Sequence, residues 1–174
     1  MTIGIPASIR LEPLTSAHAP EMFPLLSHPA IYQYIPEPPP TSVAALTARY
    51  QRLEGGTSPD GSETWLNWVI RRLEDMRCVG YVQATIYTAD TADFAFVLAP
   101  AYWGLGLAHE ASTAALAYLF AQSNVVSVFA TVDRRNARSS ALLTRLHFQR
   151  VPAGMYPHGH VESSDDVFEL RRNV

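Results

Sequence analysis

Cysteine is almost absent from this chain, since Cys78 is the only one among 174 residues. A single thiol excludes an intramolecular disulfide and favours a reducing compartment, and we interpret Cys78 as a small buried apolar residue. Charge is also scarce, because charged residues make up 17% of the chain and the formal net charge is −3. The electrostatic field of the whole protein is therefore weak, and we do not expect it to bind nucleic acid or an anionic membrane surface.

Long apolar runs are missing as well. The most apolar stretch, residues 107–121, is interrupted by polar side chains such as Glu110, whereas a helix needs about 20 apolar residues to span a bilayer. Residues 1–13 lack the continuous apolar segment of a signal peptide. These absences predict a cytoplasmic protein. A hydrophobic content of 48% over 174 residues predicts one domain, residues 1–174, with a sizeable core.

Two periodic patterns alternate along the chain and predict its elements. Alternation of apolar and polar residues, and runs of β-prone residues, predict strands over residues 9–14, 64–73, 78–88, 93–98, 125–132, 148–151 and 167–170. Apolar residues at helical spacing, preceded by capping residues, predict helices over residues 15–28, 41–54, 105–122 and 136–146. This order predicts an α+β fold, with a mixed central sheet of about seven strands and helices on both faces.

One junction between a predicted strand and a predicted helix contains two glycines. Gly104 and Gly106 let several backbone N–H groups turn towards one anion, with the helix dipole behind them. A dinucleotide-binding fold requires a third glycine at position 109, where this chain has His109. A nucleotide-hydrolysing loop requires Gly-Lys-Ser or Gly-Lys-Thr, and the chain has neither tripeptide. For an isolated pair of glycines, a simple tight turn is the alternative interpretation.

The segment FAFVLAPAYWGLGLAHEA, residues 94–111, resembles the pyrophosphate loop of the GNAT superfamily. The resemblance is to the branch that contains ribosomal-protein N-terminal acetyltransferases and spermidine acetyltransferases. Asn136-x-x-Ser139 and the helix end Leu146-x-Phe148 match the same branch, so that the resemblance covers nearly the whole chain. It implies the GNAT fold and an acetyl-CoA-dependent N-acyltransferase. Such an enzyme transfers an acetyl group to a peptide α-amine or to a small-molecule amine, by direct attack of the amine on the thioester.

The resemblance also implies roles for particular residues. Backbone amides of residues 104–109 would hold the coenzyme A pyrophosphate, an open strand edge at residues 96–98 would pair with the pantetheine arm, and Asn136 would bind that arm from the other side. The implied coenzyme site comprises Phe96, Val97, Leu98, Trp103, Gly104, Leu105, Gly106, Leu107, Ala108, His109 and Asn136. Asn136 also fits a helix N-cap, and the two roles are compatible.

Three positions depart from the family pattern. Ala101 replaces a frequent Gln or Arg at the first position of the loop, which leaves the backbone cradle intact. Leu143 stands where many relatives carry a tyrosine that protonates the leaving thiolate, and we expect Ser139, one turn earlier, to donate that proton instead. His147 replaces the usual glycine before the closing phenylalanine, which predicts a strained or differently capped helix end.

No unmistakable general base stands out. Asp93 lies on the strand where relatives often hold a carboxylate, and His158, His160 and Glu162 lie near the end of the chain. We take Ser139, Asp93 and His158 as the catalytic candidates. A weak base suffices for an α-amine, whose deprotonation at pH 7 costs about 1–1.5 kcal/mol, against about 4–5 kcal/mol for a lysine-like amine. His158 and His160 lack a third ligand at recognisable spacing, so no metal is expected.

Two irregular segments, residues 31–40 and 152–166, have the greatest freedom to shape a groove for the acceptor. The expected partner is an amine-bearing acceptor, and the chain is expected to act as a monomer or a homodimer. An alternative of another class is a non-catalytic protein that binds or senses acyl-CoA with the same fold. Leu143 in place of the tyrosine keeps that alternative open.

Overall fold

The molecule is organised around one β-sheet with helices on both faces. The computed structural model of the chain describes residues 7–87 and 90–172. The strands are β1 (Ile9–Pro13), β2 (Thr64–Arg72), β3 (Cys78–Ile86), β4 (Thr91–Leu98), β5 (Ser127–Asp133), β6 (Gln149–Val151) and β7 (Asp165–Arg171). The helices are α1 (Ala19–Leu26), α2 (Val43–Leu53), α3 (Leu107–Gln122) and α4 (Ala137–Arg145). Within the described residues, no helix has the length and apolarity needed to cross a membrane.

The strand order across the sheet is β1-β2-β3-β4-β5-β7-β6. Every neighbouring pair is antiparallel except β4 and β5, which run parallel. A parallel pair requires a crossover connection, and α3 provides it. These findings confirm the predicted α+β fold with a mixed sheet of seven strands.

Each face of the sheet buries its own apolar cluster. On one face α3 and α4 pack over residues that include Val82 and Phe94. On the other face α1 and α2 cover Val69 and Tyr81. Tyr81 and Val82 are consecutive on β3, and they point to opposite faces because side chains alternate along a strand. The alternation that predicts the strands from sequence therefore also divides the core into two halves.

Capping side chains set two of the helix starts where the sequence predicts them. The Ser42 hydroxyl accepts a hydrogen bond from the Ala45 N–H at 3.0 Å, and the Asn136 side-chain oxygen accepts one from the Ser139 N–H at 3.2 Å. At the end of α4, His147 has φ of 67°. A non-glycine residue pays a steric cost in this left-handed region, so the predicted strain at this helix end is confirmed.

Two predicted helix starts are wrong by a few residues. The helix predicted from Leu105 begins at Leu107, because Gly106 adopts a left-handed conformation that cannot continue a helix. The helix predicted from Thr15 begins at Ala19, after a 3₁₀ turn over Ser16–His18. The predicted end of the third strand at Thr88 lies outside the described residues, and β3 ends at Ile86.

Gly80 on β3 lets β4 approach unusually closely. It lies opposite Leu98, the last residue of β4. A Cβ atom built on Gly80 would lie 2.1 Å from the Val97 carbonyl oxygen, a distance that no side chain tolerates. The missing side chain therefore allows the end of β4 to pack closely against β3.

Candidate active site

β4 and β5 separate partway along their length. They pair at Thr91, Ala92 and Asp93, and no later residue of β4 pairs with β5, although both strands are described in full. On its other side β4 remains paired with β3 as far as Leu98. Residues 94–98 therefore present one open edge, at which alternate residues direct their backbone groups away from β3 and lack a strand partner. This is the open edge that the family resemblance implies for residues 96–98.

A cavity of about 800 Å³ adjoins this edge. Its walls come from the end of β4, the loop before α3, the first turns of α4 and the segment that precedes α2. Ten of the residues predicted to bind the coenzyme line this cavity: Phe96, Val97, Leu98, Trp103, Gly104, Gly106, Leu107, Ala108, His109 and Asn136. Leu105 is the one predicted member outside the lining, because its side chain is 57% exposed on the outer side of the loop.

The two glycines of the loop adopt conformations that other residues avoid. Gly104 has φ of 78° and Gly106 has φ of 77°. Gly106 is the N-cap of α3, so the N–H groups of the first helical turn have no carbonyl partner within the helix. The loop and this helix end both line the cavity. Together they can hold an anion such as a pyrophosphate through backbone amides and the helix dipole.

Trp103 joins the loop to its surroundings on two sides. Its indole N–H donates a hydrogen bond to the Leu98 carbonyl at 2.8 Å, which holds the loop against the end of β4. The guanidinium carbon of Arg138 lies 4.1 Å from the centre of a Trp103 ring, a cation–π contact from α4. The loop and α4 thus form two connected walls of one cavity.

The charged side chains that line the cavity are basic. Among the described residues it contains Arg135, Arg138, Arg145 and His109, and no carboxylate. Arg135 is already engaged, because its Nη2 lies 2.6 Å from Asp133 Oδ2, and this hydrogen bonding lowers the pKa of Asp133 to about 2. The cavity therefore suits a polyanionic ligand. Sequence reasoning missed these arginines, although the seven-residue spacing of Arg138 and Arg145 on α4 is a readable signal.

Only some side chains of α4 line the cavity, depending on the face of the helix on which they lie. Ser139 lines the cavity, whereas Leu143 is fully buried in the core beneath α4. Position 143 therefore offers no proton donor to the cavity. Asn136 both caps α4 and lines the cavity, so that the two expected uses of this residue remain compatible. Its contact with a coenzyme stays a prediction.

Asp93 and His158 lie in direct contact with each other. His158 Nδ1 is 2.8 Å from Asp93 Oδ1, and its Nε2 is 2.8 Å from Thr91 Oγ1. The hydroxyls of Tyr156 and Tyr87 donate to Asp93 Oδ2 at 2.5 and 3.1 Å. Hydroxyl, imidazole and carboxylate therefore form one hydrogen-bonded chain. An imidazole whose one nitrogen is held by a carboxylate can accept a proton on the other.

The histidine of this cluster is buried and packs against an aromatic ring. The His158 side chain is 5% exposed, and its ring stacks on Tyr87 with centroids 3.8 Å apart. Burial and the adjacent Asp93 carboxylate raise the pKa of both Tyr87 and Tyr156 well above the usual tyrosine value. Both hydroxyls therefore remain protonated donors to Asp93 throughout the physiological range.

The structure separates the base candidates into two groups. Asp93 and His158 share the cluster, whereas His160 and Glu162 are exposed and make no hydrogen bond to it. The cluster does not line the cavity, and Asp93 precedes Phe96 by three residues, or about 10 Å along the strand. Over residues 7–87 and 90–172, no group of three or more His, Cys, Asp or Glu side chains is placed to hold a metal ion.

Sequence reasoning missed Thr91 and Tyr87 as members of the cluster. Thr91 shares a strand face with Asp93 because the two residues are separated by one position on β4, which the sequence pattern shows. No sequence signal pairs either residue with His158, which lies 65 residues from Asp93 along the chain.

Comparison with known proteins gives consistent matches over nearly the whole chain. A family model described as an acetyltransferase (GNAT) domain matches residues 8–149. A GNAT-family acetyltransferase from Bacillus anthracis is similar with a TM-score of 0.77 at 18% identity, over 94% of this chain and 95% of that chain.

Two other similar structures carry more specific names. A ribosomal-protein-S5-alanine acetyltransferase from Vibrio fischeri has a TM-score of 0.76 at 15% identity, over 94% of this chain and 93% of that chain. A spermidine N-acetyltransferase from Vibrio cholerae, solved with CoA and spermine, has a TM-score of 0.71 at 21% identity, over 93% of each chain. At these identities the likeness establishes the fold.

Replacement of Gly106 by valine tests the anion cradle. We expect Gly106→Val to raise the Kd for acetyl-CoA more than about tenfold, because a β-branched residue is strained at this positive φ and would turn the amides away. Leu105→Ala is the matched control, since it changes only an exposed side chain between the two glycines. Calorimetry measures both. Unaltered binding in Gly106→Val, or tighter binding of NAD than of coenzyme A, would overturn the assignment.

Proposed function

This chain belongs to the GNAT acetyltransferase family, whose model matches residues 8–149, and we propose that it transfers the acetyl group of acetyl-CoA to an amine. Membership in the family makes it an acetyltransferase with acetyl-CoA as cosubstrate. The proposal extends this activity to an amine acceptor, either a peptide α-amine or a small-molecule amine. It also assigns coenzyme binding to the cavity. The cytoplasmic location and the oligomeric state stay predictions from the sequence.

The observation that carries the proposal is the open edge of β4 beside the glycine loop. A pyrophosphate on residues 104–109 directs the pantetheine arm along residues 96–98, where backbone groups are free of β5. Asn136 and Ser139 lie on the opposite wall. The thioester would then reach the point where β4 and β5 separate. A backbone N–H of the open edge would stabilise the oxyanion that forms when the amine attacks the carbonyl carbon.

The cluster of Asp93 and His158 is proposed to receive the amine proton. His158 Nε2 accepts that proton, and Asp93 at Nδ1 stabilises the resulting imidazolium. Because Thr91 Oγ1 lies against Nε2 and the cluster lies outside the cavity, the proton travels through the Thr91 hydroxyl or a water molecule. The neutral amine then attacks the thioester carbonyl carbon, and the new C–N bond forms in a tetrahedral oxyanion. This oxyanion collapses with cleavage of the C–S bond, and the remaining ammonium proton passes to solvent to leave the neutral amide.

Ser139 is proposed to donate a proton to the departing thiolate of coenzyme A. It is a hydroxyl-bearing residue of α4 that lines the cavity, and Leu143 is buried in the core. Solvent then restores the proton on the Ser139 hydroxyl. Under this proposal the leucine at position 143 is compatible with catalysis, and the Ser139 variant below tests it against the non-catalytic alternative.

The indirect route to the proton acceptor favours an acceptor amine of modest basicity. The amine reaches His158 only through the Thr91 hydroxyl or a water molecule, and deprotonation at pH 7 costs about 4–5 kcal/mol for a lysine-like amine against about 1–1.5 kcal/mol for an α-amine. A peptide α-amine is neutral for part of its population at pH 7, whereas a lysine amine is almost wholly charged. The similar structures include an enzyme named for alanine of a ribosomal protein and one named for spermidine. This difference in basicity favours the first kind of acceptor.

A panel of acceptors tests the proposal as a whole. We expect purified protein to acetylate α-amino peptides with acetyl-CoA. The rate should rise with pH and reach a plateau at pH of about 8, where the α-amine becomes neutral. Coenzyme A release against peptides, polyamines and aminoglycosides measures this. Good turnover of spermidine or internal lysines with untouched N-termini would contradict the acceptor assignment. Binding of acetyl-CoA without any turnover would support the non-catalytic alternative.

Substitution of Ser139 tests the thiolate donor. We expect Ser139→Ala to lower kcat about 10-fold to 100-fold and to leave the Kd for acetyl-CoA nearly unchanged, because the hydroxyl acts only as the C–S bond breaks. Ser140→Ala is the matched control, since Ser140 neighbours Ser139 on α4 and does not line the cavity. An unchanged kcat in Ser139→Ala, with chemistry rate-limiting, would remove the role.

Substitution of His158 tests the proton acceptor. We expect His158→Gln to lower kcat/KM for the amine about 100-fold at pH 7, and the loss to shrink as pH rises above about 8, where the amine loses its proton unaided. His160→Gln is the matched control, because His160 is exposed two residues away. A loss that does not change with pH would show a structural role, and an equal loss in His160→Gln would contradict the assignment.

A further inference from the structure

Two arginines of α4 face the cavity from one side of the helix. Arg138 and Arg145 both line it, as does Leu142 between them. Their spacing of seven residues places them on the same helical face, about 10 Å apart along the axis. Arg138 lies over Trp103 of the glycine loop, so that Arg145 lies two turns farther along the same wall. The wall therefore carries positive charge beyond the part that contacts the loop.

Neither arginine is neutralised by the protein. In the described part of the chain, no ion pair joins Arg138 or Arg145 to a carboxylate. Arg135, by contrast, is held by Asp133 at 2.6 Å. Guanidinium groups bind phosphate oxygens through a planar fork of donors, and such charge-assisted contacts are among the stronger hydrogen bonds in proteins.

Coenzyme A carries a pyrophosphate and, on its ribose, a separate 3′-phosphate. The glycine loop and the α3 N-terminus account for the pyrophosphate alone. We propose that Arg138 and Arg145 bind the 3′-phosphate, and that this enzyme thereby selects coenzyme A over molecules that lack it. The inference rests on the proposed coenzyme site. It goes beyond that site because it assigns a second anion subsite, specific for a phosphomonoester, to α4.

The test compares coenzyme A with 3′-dephospho-coenzyme A by calorimetry. We expect the wild type to bind coenzyme A about 10-fold to 100-fold more tightly, a range typical of charge-assisted contacts to one dianion. In the double variant Arg138→Ala/Arg145→Ala this preference disappears. In the same double variant, the affinity for 3′-dephospho-coenzyme A falls less than the affinity for coenzyme A. Arg145→Gln alone lowers the preference in the same direction, at an exposed position that does not disturb the core.

A matched double variant controls for net charge. Arg52→Ala/Arg77→Ala removes two positive charges from exposed residues outside the cavity, and the preference for coenzyme A remains. Equal binding of the two compounds by the wild type would overturn the inference, and so would a preference that persists in Arg138→Ala/Arg145→Ala. If the wild type binds neither compound, the proposed coenzyme site itself fails. The two failures are therefore distinguishable.

Discussion

The separation of β4 from β5 after Asp93 is the constraint on which the rest of the site depends. If the two strands stayed paired to Leu98, the sheet would consume the backbone groups of residues 94–98 and no edge would remain for a ligand. Because the strands diverge, the helices that follow them begin on opposite sides of one gap. Gly106 at the start of α3 and Asn136 at the start of α4 both line that gap. Two helix N-termini and a free strand edge therefore meet at one place.

Two chemically different regions adjoin the point where β4 and β5 separate. The glycine loop and the arginines of α4 form a basic region that suits phosphate groups. Asp93 and His158 form a buried region of proton-accepting groups, held in place by the hydroxyls of Tyr87 and Tyr156. The proposed acyl transfer from coenzyme A uses both regions, since the coenzyme is a polyanion and the incoming amine must lose a proton. Gly80 contributes indirectly, because its missing side chain allows the end of β4 to pack closely against β3.

Much of the fold and half of the site could be predicted from local patterns. Period-two alternation located the strands, and the capping residues Ser42 and Asn136 located two helix starts. The prediction placed the start of α3 two residues too early, because a positive φ at Gly106 is a property of the folded loop. Most residues predicted to bind the coenzyme line a single cavity. Their sequence neighbourhood, a strand, a glycine loop and a helix, already ensures that they lie close together.

What the sequence by itself determined about this protein is therefore local: its elements, the glycine loop between β4 and α3, and the resemblance that identifies the family. Only the tertiary structure decided which distant side chains meet. It brought His158 to Asp93 across 65 residues, laid Arg138 of α4 over Trp103, and buried Leu143 in the core. The physical reason is that such contacts depend on strand register, on the divergence of β4 from β5 and on the path of the loop before β7. No periodic pattern in the sequence records these features.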